Sequence, residues 1–191
     1  MLKGVAMKKQ ILILTALAAC AAQAGPLSGR RVPSFALPDV AMKYHDVLDY
    51  RGRVLIIEIM QTTCPHCRDL AGTLERVKAR YGGKVAILSI VVPPDTQQTV
   101  STFIAQHRLS YPVLFDCGQA TASLLMVTPR KPGINLPQVL IVDAEGMIRE
   151  DFEWQEKGVN VLAGDGLFAV LDRILAAPAA PAPAAKKAPK K

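Results

Sequence analysis

Residues 53–67 read RVLIIEIMQTTCPHC. Its apolar run, Arg53–Met60, is broken by one acid, Glu58, and has the character of a central strand buried on both faces. Behind it, Cys67, Leu70, Leu74, Val77 and Tyr81 recur at spacings of three, four, three and four, which is one face of a helix. Gly82-Gly83 stops that helix. The two cysteines of the Cys-x-x-Cys pair therefore sit at the step from a buried strand to a helix, and the rest of the chain has to be arranged around that step.

The pattern continues along the chain. Lys84–Val92 (KVAILSIVV) predicts a second buried strand, ended by Pro93-Pro94. Asp95 is placed to cap a helix running to about His107. Tyr111–Phe115 reads as a short strand and Gly118–Met126 as a weak helical segment. Gln138–Val142 and Met147–Phe152 flank Asp143-Ala144-Glu145-Gly146, a hairpin signal. Asp165 is expected to cap a last helix with Leu167, Val170, Leu171, Ile174 and Leu175 on its apolar face. Strands alternating with helices and finishing in a hairpin give an α/β class with a mixed, helix-covered sheet. The sequence shows no internal repeat.

The two ends have a different character. Residues 1–24 form an export signal: a basic start, an apolar run from Ile11 to about Ala19, and Ala22-Gln23-Ala24 as a cleavage site. The run falls short of the roughly 20 residues that a membrane span needs. A second cleavage competes with the first, because Leu17-Ala18-Ala19-Cys20 resembles a bacterial lipobox and would leave Cys20 as a lipid-bearing first residue. Residues 178–191, PAAPAPAAKKAPKK, read as a disordered Pro/Ala/Lys tail. Of the 23 Lys and Arg, three lie in the leader and four in the tail, where there is no acid, so the remainder equal the 16 Asp and Glu. The expected domain, residues 25–177, is neutral, which argues against a nucleic-acid partner that would demand a basic face.

The chemistry is concentrated at Cys64-Pro65-His66-Cys67. A thiol at a helix N-terminus meets free backbone N–H groups and the positive end of the dipole, which favour a thiolate. His66 in the loop would stabilise that thiolate further. Cys64 is then the attacking thiol and Cys67, one turn in and facing the core, the resolving thiol. A zinc site needs four ligands, and no second Cys-x-x-Cys or paired histidines are present; His45 and His107 stand alone. A purely structural bridge closing so short a loop would remove little chain entropy.

With these residues in view, the chain resembles an exported thioredoxin-fold protein of the TlpA/ResA type over nearly all of residues 32–176. The Phe35–Asp39 entry, the Asp49-Tyr50-Arg51-Gly52 turn, the Cys-x-x-Cys pair and Leu136-Pro137 before Val139–Asp143 carry the resemblance. It implies a thioredoxin-like fold with helices on both faces of the sheet, and thiol–disulfide exchange with protein substrates and a redox partner protein, without a bound cofactor or metal. It also implies a cis bond at Pro137, with Pro65, Leu136 and Pro137 lining the groove for substrate backbone. Glu58 matches the family's buried acid six residues before the first cysteine. Burial would raise its pKa and suit it to trading protons with Cys67; a salt-bridged core acid is the alternative. The chain departs from the family at Thr63, where a Trp is usual. Leu136 also fits the usual residue poorly. Pro-His belongs to the strongly oxidising DsbA proteins, whereas this scaffold usually serves reductants. Cys117 is expected to be a half-buried structural thiol, with a redox partner as the alternative.

Two other functions compete. A thiol peroxidase on the same fold is disfavoured by Gln61, which stands where peroxiredoxins place a catalytic Thr. A metallochaperone could hold Cu(I) between two soft thiolates, but the family's copper carriers have a wider cysteine spacing and a distant histidine.

Overall fold

The computed structural model describes residues 25–130 and 133–177. The leader with Cys20 and the tail from Pro178 lie outside the described residues. The elements in chain order are β1 (Ala36–Pro38), β2 (Tyr44–Asp46), a 3-10 turn (Val47–Tyr50), β3 (Val54–Met60) and α1 (Pro65–Tyr81). They continue with β4 (Val85–Val91), α2 (Gln97–His107), β5 (Val113–Phe115), α3 (Gln119–Leu125), β6 (Gln138–Val142) and β7 (Ile148–Glu153). Two helices close the domain, α4 (Glu156–Leu162) and α5 (Gly166–Ala176).

The apolar runs at β3 and β4 are buried at every position and lie side by side, parallel, at the centre of a five-stranded sheet ordered β5-β4-β3-β6-β7. β5 adds parallel to β4, while β6 and β7 run antiparallel beyond β3. The sheet is therefore mixed, as expected. Because strand side chains alternate between faces, Val54 and Ile56 point to one layer and Leu55, Ile57 and Ile59 to the other. Val54 and Ile56 pack with Leu70, Leu74 and Val77 of α1 and with Leu167, Phe168 and Leu171 of α5. The opposite residues pack with Leu124 and Leu125 of α3 and with Leu27, Val32 and Val47 from the N-terminal segment. Helices cover both faces.

α1 begins where Pro65 takes the first helical position, in which a missing N–H costs nothing. It ends at Gly82, whose positive φ of 53° terminates the last turn. The expected caps were placed one residue off or used otherwise. α2 is capped by Thr96, which forms a reciprocal capping box with Thr99, rather than by Asp95. Asp165 precedes α5 without capping it and pairs with Arg76 of α1 instead, at 3.0 Å. The β1–β2 hairpin, a separate two-stranded sheet, is clasped by His45, which meets Asp39 through Nε2 and Tyr50 through Nδ1, both at 2.9 Å.

Candidate active site

The cysteine pair is built from the end of β3, the start of α1 and the approach to β6. Cys64 is half-buried at the N-cap of α1, and its sulfur accepts the Cys67 backbone N–H at 3.3 Å. The thiol donates toward the Leu136 carbonyl at 3.8 Å. The Leu136–Pro137 peptide is cis, the form expected of Pro137. Cys64, Cys67 and Leu136 pack in one cluster with Met60, Val91 and Val40, so the elements named from the sequence converge on one spot. Pro65 and Thr63 are exposed at its rim, and Cys67 is fully buried beneath it.

Glu58 lies below the pair. Period-two alternation along β3 places it on the same face as Val54, Ile56 and Met60, the face that α1 covers. It is completely buried. Its carboxylate oxygen Oε2 accepts the hydroxyl of Ser89, directly across on β4, at 2.5 Å; Oε1 has no hydrogen-bond partner among the described residues. No ion pair involving Glu58 occurs among the described residues. Burial pushes its pKa up to about 7, with the Ser89 hydrogen bond pulling the other way. The Cys67 thiol is pushed up as well, first by its own burial and then by the neighbouring Glu58 charge. The Tyr111 phenol rises for the same two reasons. Glu58 and Cys67 thus share a dry space in which only one negative charge is readily held.

His66, the exposed residue between the thiols, stacks on Trp154 at the end of β7, with ring centroids 4.1 Å apart and planes 15° from parallel. The sequence reading did not single out Trp154. Its separation from the motif hides the contact, although it is the chain's one Trp and directly follows a strand of the same sheet. In the sequence Asp95 has the place of a helix cap. Its carboxylate accepts the Thr62 backbone N–H at 2.8 Å, the Thr62 hydroxyl, and the Thr99 hydroxyl at 2.9 Å. Gln61 donates its side-chain amide to the Pro93 carbonyl at 2.7 Å. The loop leading to Cys64 is therefore tied to the loop between β4 and α2.

The other candidates lie apart. His45 closes the N-terminal hairpin, and His107 packs against Phe103 at 4.4 Å. Cys117 is exposed rather than half-buried. It sits in the turn after β5, where the Asp116 carboxylate accepts the N–H groups of Ala120 and Thr121 at 3.2 and 2.7 Å. Among the described residues no group of three or more His, Cys, Asp or Glu is placed to hold a metal ion.

A mixed five-stranded sheet with a Cys-x-x-Cys pair at the strand-to-helix step, facing a cis-proline, defines a thioredoxin-like protein. The AhpC/TSA family model matches residues 28–151, and the chain belongs to that family. The thioredoxin-like protein YneN of Bacillus subtilis is 22% identical over 137 residues, covering 67% of this chain and 72% of the relative. The thiol-disulfide oxidoreductase ResA of Bacillus thuringiensis is 21% identical over 128 residues, covering 67% and 70%. Among solved structures, the thioredoxin domain of a thiol-disulfide oxidoreductase from Bacteroides vulgatus superposes with a TM-score of 0.63 at 15% identity, covering 78% of this chain and 98% of that one.

Proposed function

We propose that this protein is a thiol–disulfide oxidoreductase that exchanges disulfides with protein substrates through Cys64 and Cys67. The observation that carries the reading is the asymmetry of the pair: Cys64 is reachable at a helix N-terminus, while Cys67 is buried and close enough to the Glu58 carboxylate for its thiol to be raised by that charge. The Cys64 thiolate attacks one sulfur of a client disulfide, and the client's other sulfur leaves as a thiolate that takes a proton from water. Glu58 then accepts the Cys67 proton as Cys67 attacks the Cys64 sulfur. The mixed disulfide breaks, the client's second thiolate departs, and the Cys64–Cys67 disulfide forms. The client gains two electrons and the protein loses two; the reverse sequence oxidises a client dithiol. Substrate backbone lies along Leu136 and Pro137, beside the sulfur that attacks.

The relatives named as thiol-disulfide oxidoreductases support this reading, as does the family resemblance of the motif. The side chain of Gln61, where a peroxidase would need Thr, is engaged with Pro93, which weighs against peroxide chemistry. The site of action is outside the cytoplasm, reached through the leader in residues 1–24, and either released or tethered by a lipid on Cys20. No helix among the described residues is long and apolar enough to cross a membrane.

Equilibration with glutathione buffers tests the proposal. Cys64 and Cys67 should lose their thiols together as one two-electron couple within about −270 to −120 mV, unchanged by Cys117→Ser. Loss of one thiol at a time, or a couple that includes Cys117, would contradict it.

A further inference from the structure

His66 stands between the two thiols in sequence, yet its ring is engaged with a residue from the far end of the sheet. The imidazole of His66 lies on the indole of Trp154, while the hydrogen bonds of the Cys64 sulfur run to the Cys67 N–H and the Leu136 carbonyl. We propose that Trp154 is a positioning residue for the redox couple: by stacking on His66 it draws the imidazole off the Cys64 sulfur and mutes the thiolate stabilisation that a Pro-His loop would otherwise supply. This rests on the disulfide-exchange reading above.

The indole is a fixed platform. Trp154 packs against the core layer under α1 and α5. The chain behind it turns tightly: the Gln155 N–H bonds the Glu153 carbonyl at 2.8 Å, and the Val159 N–H bonds the Gln155 carbonyl at 2.9 Å. Gly158 lets α4 close onto the end of β7, since a Cβ there would lie 1.8 Å from the Glu153 carbonyl oxygen. His66, by contrast, is exposed in the first turn of α1, so the indole decides where its ring rests. An imidazolium is attracted to an indole face, and a neutral imidazole still gains from the stack. With the ring stacked on Trp154, the hydrogen bonds of the Cys64 sulfur run to the Cys67 N–H and the Leu136 carbonyl and not to the imidazole.

Variants at both positions test this, with two readouts: the equilibrium constant for reduction by glutathione, and the alkylation rate of Cys64 at pH 6 mapped by mass spectrometry. Trp154→Ala should raise both about fivefold, the factor a stack of this strength holds back. On the redox scale fivefold is about 20 mV toward a stronger oxidant. Trp154→Phe, which keeps a stacking face, and His66→Ala should each stay within about twofold of wild type. In the His66→Ala background, Trp154→Ala should change neither readout. The emission of Trp154 in the otherwise native chain should brighten on His66→Ala, which checks the stack even if Trp154→Ala does not fold. No effect of Trp154→Ala with His66 present, the same effect without it, or unchanged emission would overturn the proposal. If no variant equilibrates with glutathione, the disulfide-exchange reading falls, and the alkylation rates still decide for or against Trp154.

Discussion

Glu58 is the residue at which stability and chemistry diverge most. An isoleucine there would match its neighbours; a carboxyl group in that layer lowers stability whenever it ionises. Its pKa of about 7 lies above the ordinary value of 4.5. Below the ordinary value the group is protonated in the folded and unfolded chain alike, and it contributes nothing. As pH rises through 4.5 the unfolded chain releases the proton while the folded chain keeps it, so stability falls until pH 7. The loss is about 3 kcal/mol across that window. Glu58→Gln should remove this slope, so that the variant gains about 3 kcal/mol relative to wild type between pH 4.5 and 8, measured by denaturant titration. The same variant should slow resolution of a mixed disulfide by roughly a hundredfold, the usual scale of a general base. In wild type the resolving rate should climb with pH toward 7 as Glu58 ionises, and in Glu58→Gln that rise should vanish. A variant that keeps both the slope and the rate would leave Glu58 as a core acid without a proton-transfer role.

At the scale of elements, the loop before α1 is held by its neighbour. Asp95 ties Thr62, two residues upstream of Cys64, to the start of α2. Asp95→Ala should cost about 1–3 kcal/mol by leaving the Thr62 N–H without its charged acceptor. Hydrogen exchange should show it as faster exchange at residues 61–64, with α2 itself retained by the Thr96 capping box. Unchanged exchange there would mean that the loop is held by Gln61 alone. Asp95 also shows where reading the sequence stops. β3, β4 and α1 were legible because burial on two faces leaves an unbroken apolar run and a packed helix leaves a 3-4 spacing. Side-chain oxygens at helix starts are ambiguous, because Asp95, Thr96 and Asp165 can all cap, and tertiary partners decided among them. α4 escaped notice because it is short and contains Gly158, whose purpose is close contact with β7. The β1–β2 hairpin has in the sequence only the look of an entry segment, since its three-residue strands leave too little alternation to detect. The site itself was legible where chemistry dictates residue type, at Cys64, Cys67, Glu58 and Pro137. It was not legible where only proximity matters, as at Ser89 and Trp154.

For the whole molecule, the charge distribution and the sheet order point the same way. The basic excess lies in residues 1–24 and 178–191, and the domain between them is balanced; the proposed exchange with clients takes place at the groove beside Cys64. The central parallel pair delivers Cys64 and the β4–α2 loop to one end of the strands. The antiparallel return of β6 brings Pro137 to the same end, and β7 leads to Trp154 there. The proposed division of labour between the thiols can be read in one trapping measurement. Cys67→Ser and Cys64→Ser variants are each mixed with a disulfide-bonded protein, and the adducts are mapped by mass spectrometry. Cys67→Ser should accumulate a mixed disulfide through Cys64, because the resolving thiol is gone, and Cys64→Ser should accumulate none. Adducts through Cys67 or Cys117, or equal trapping by both variants, would contradict the assignment of Cys64 as the attacking thiol.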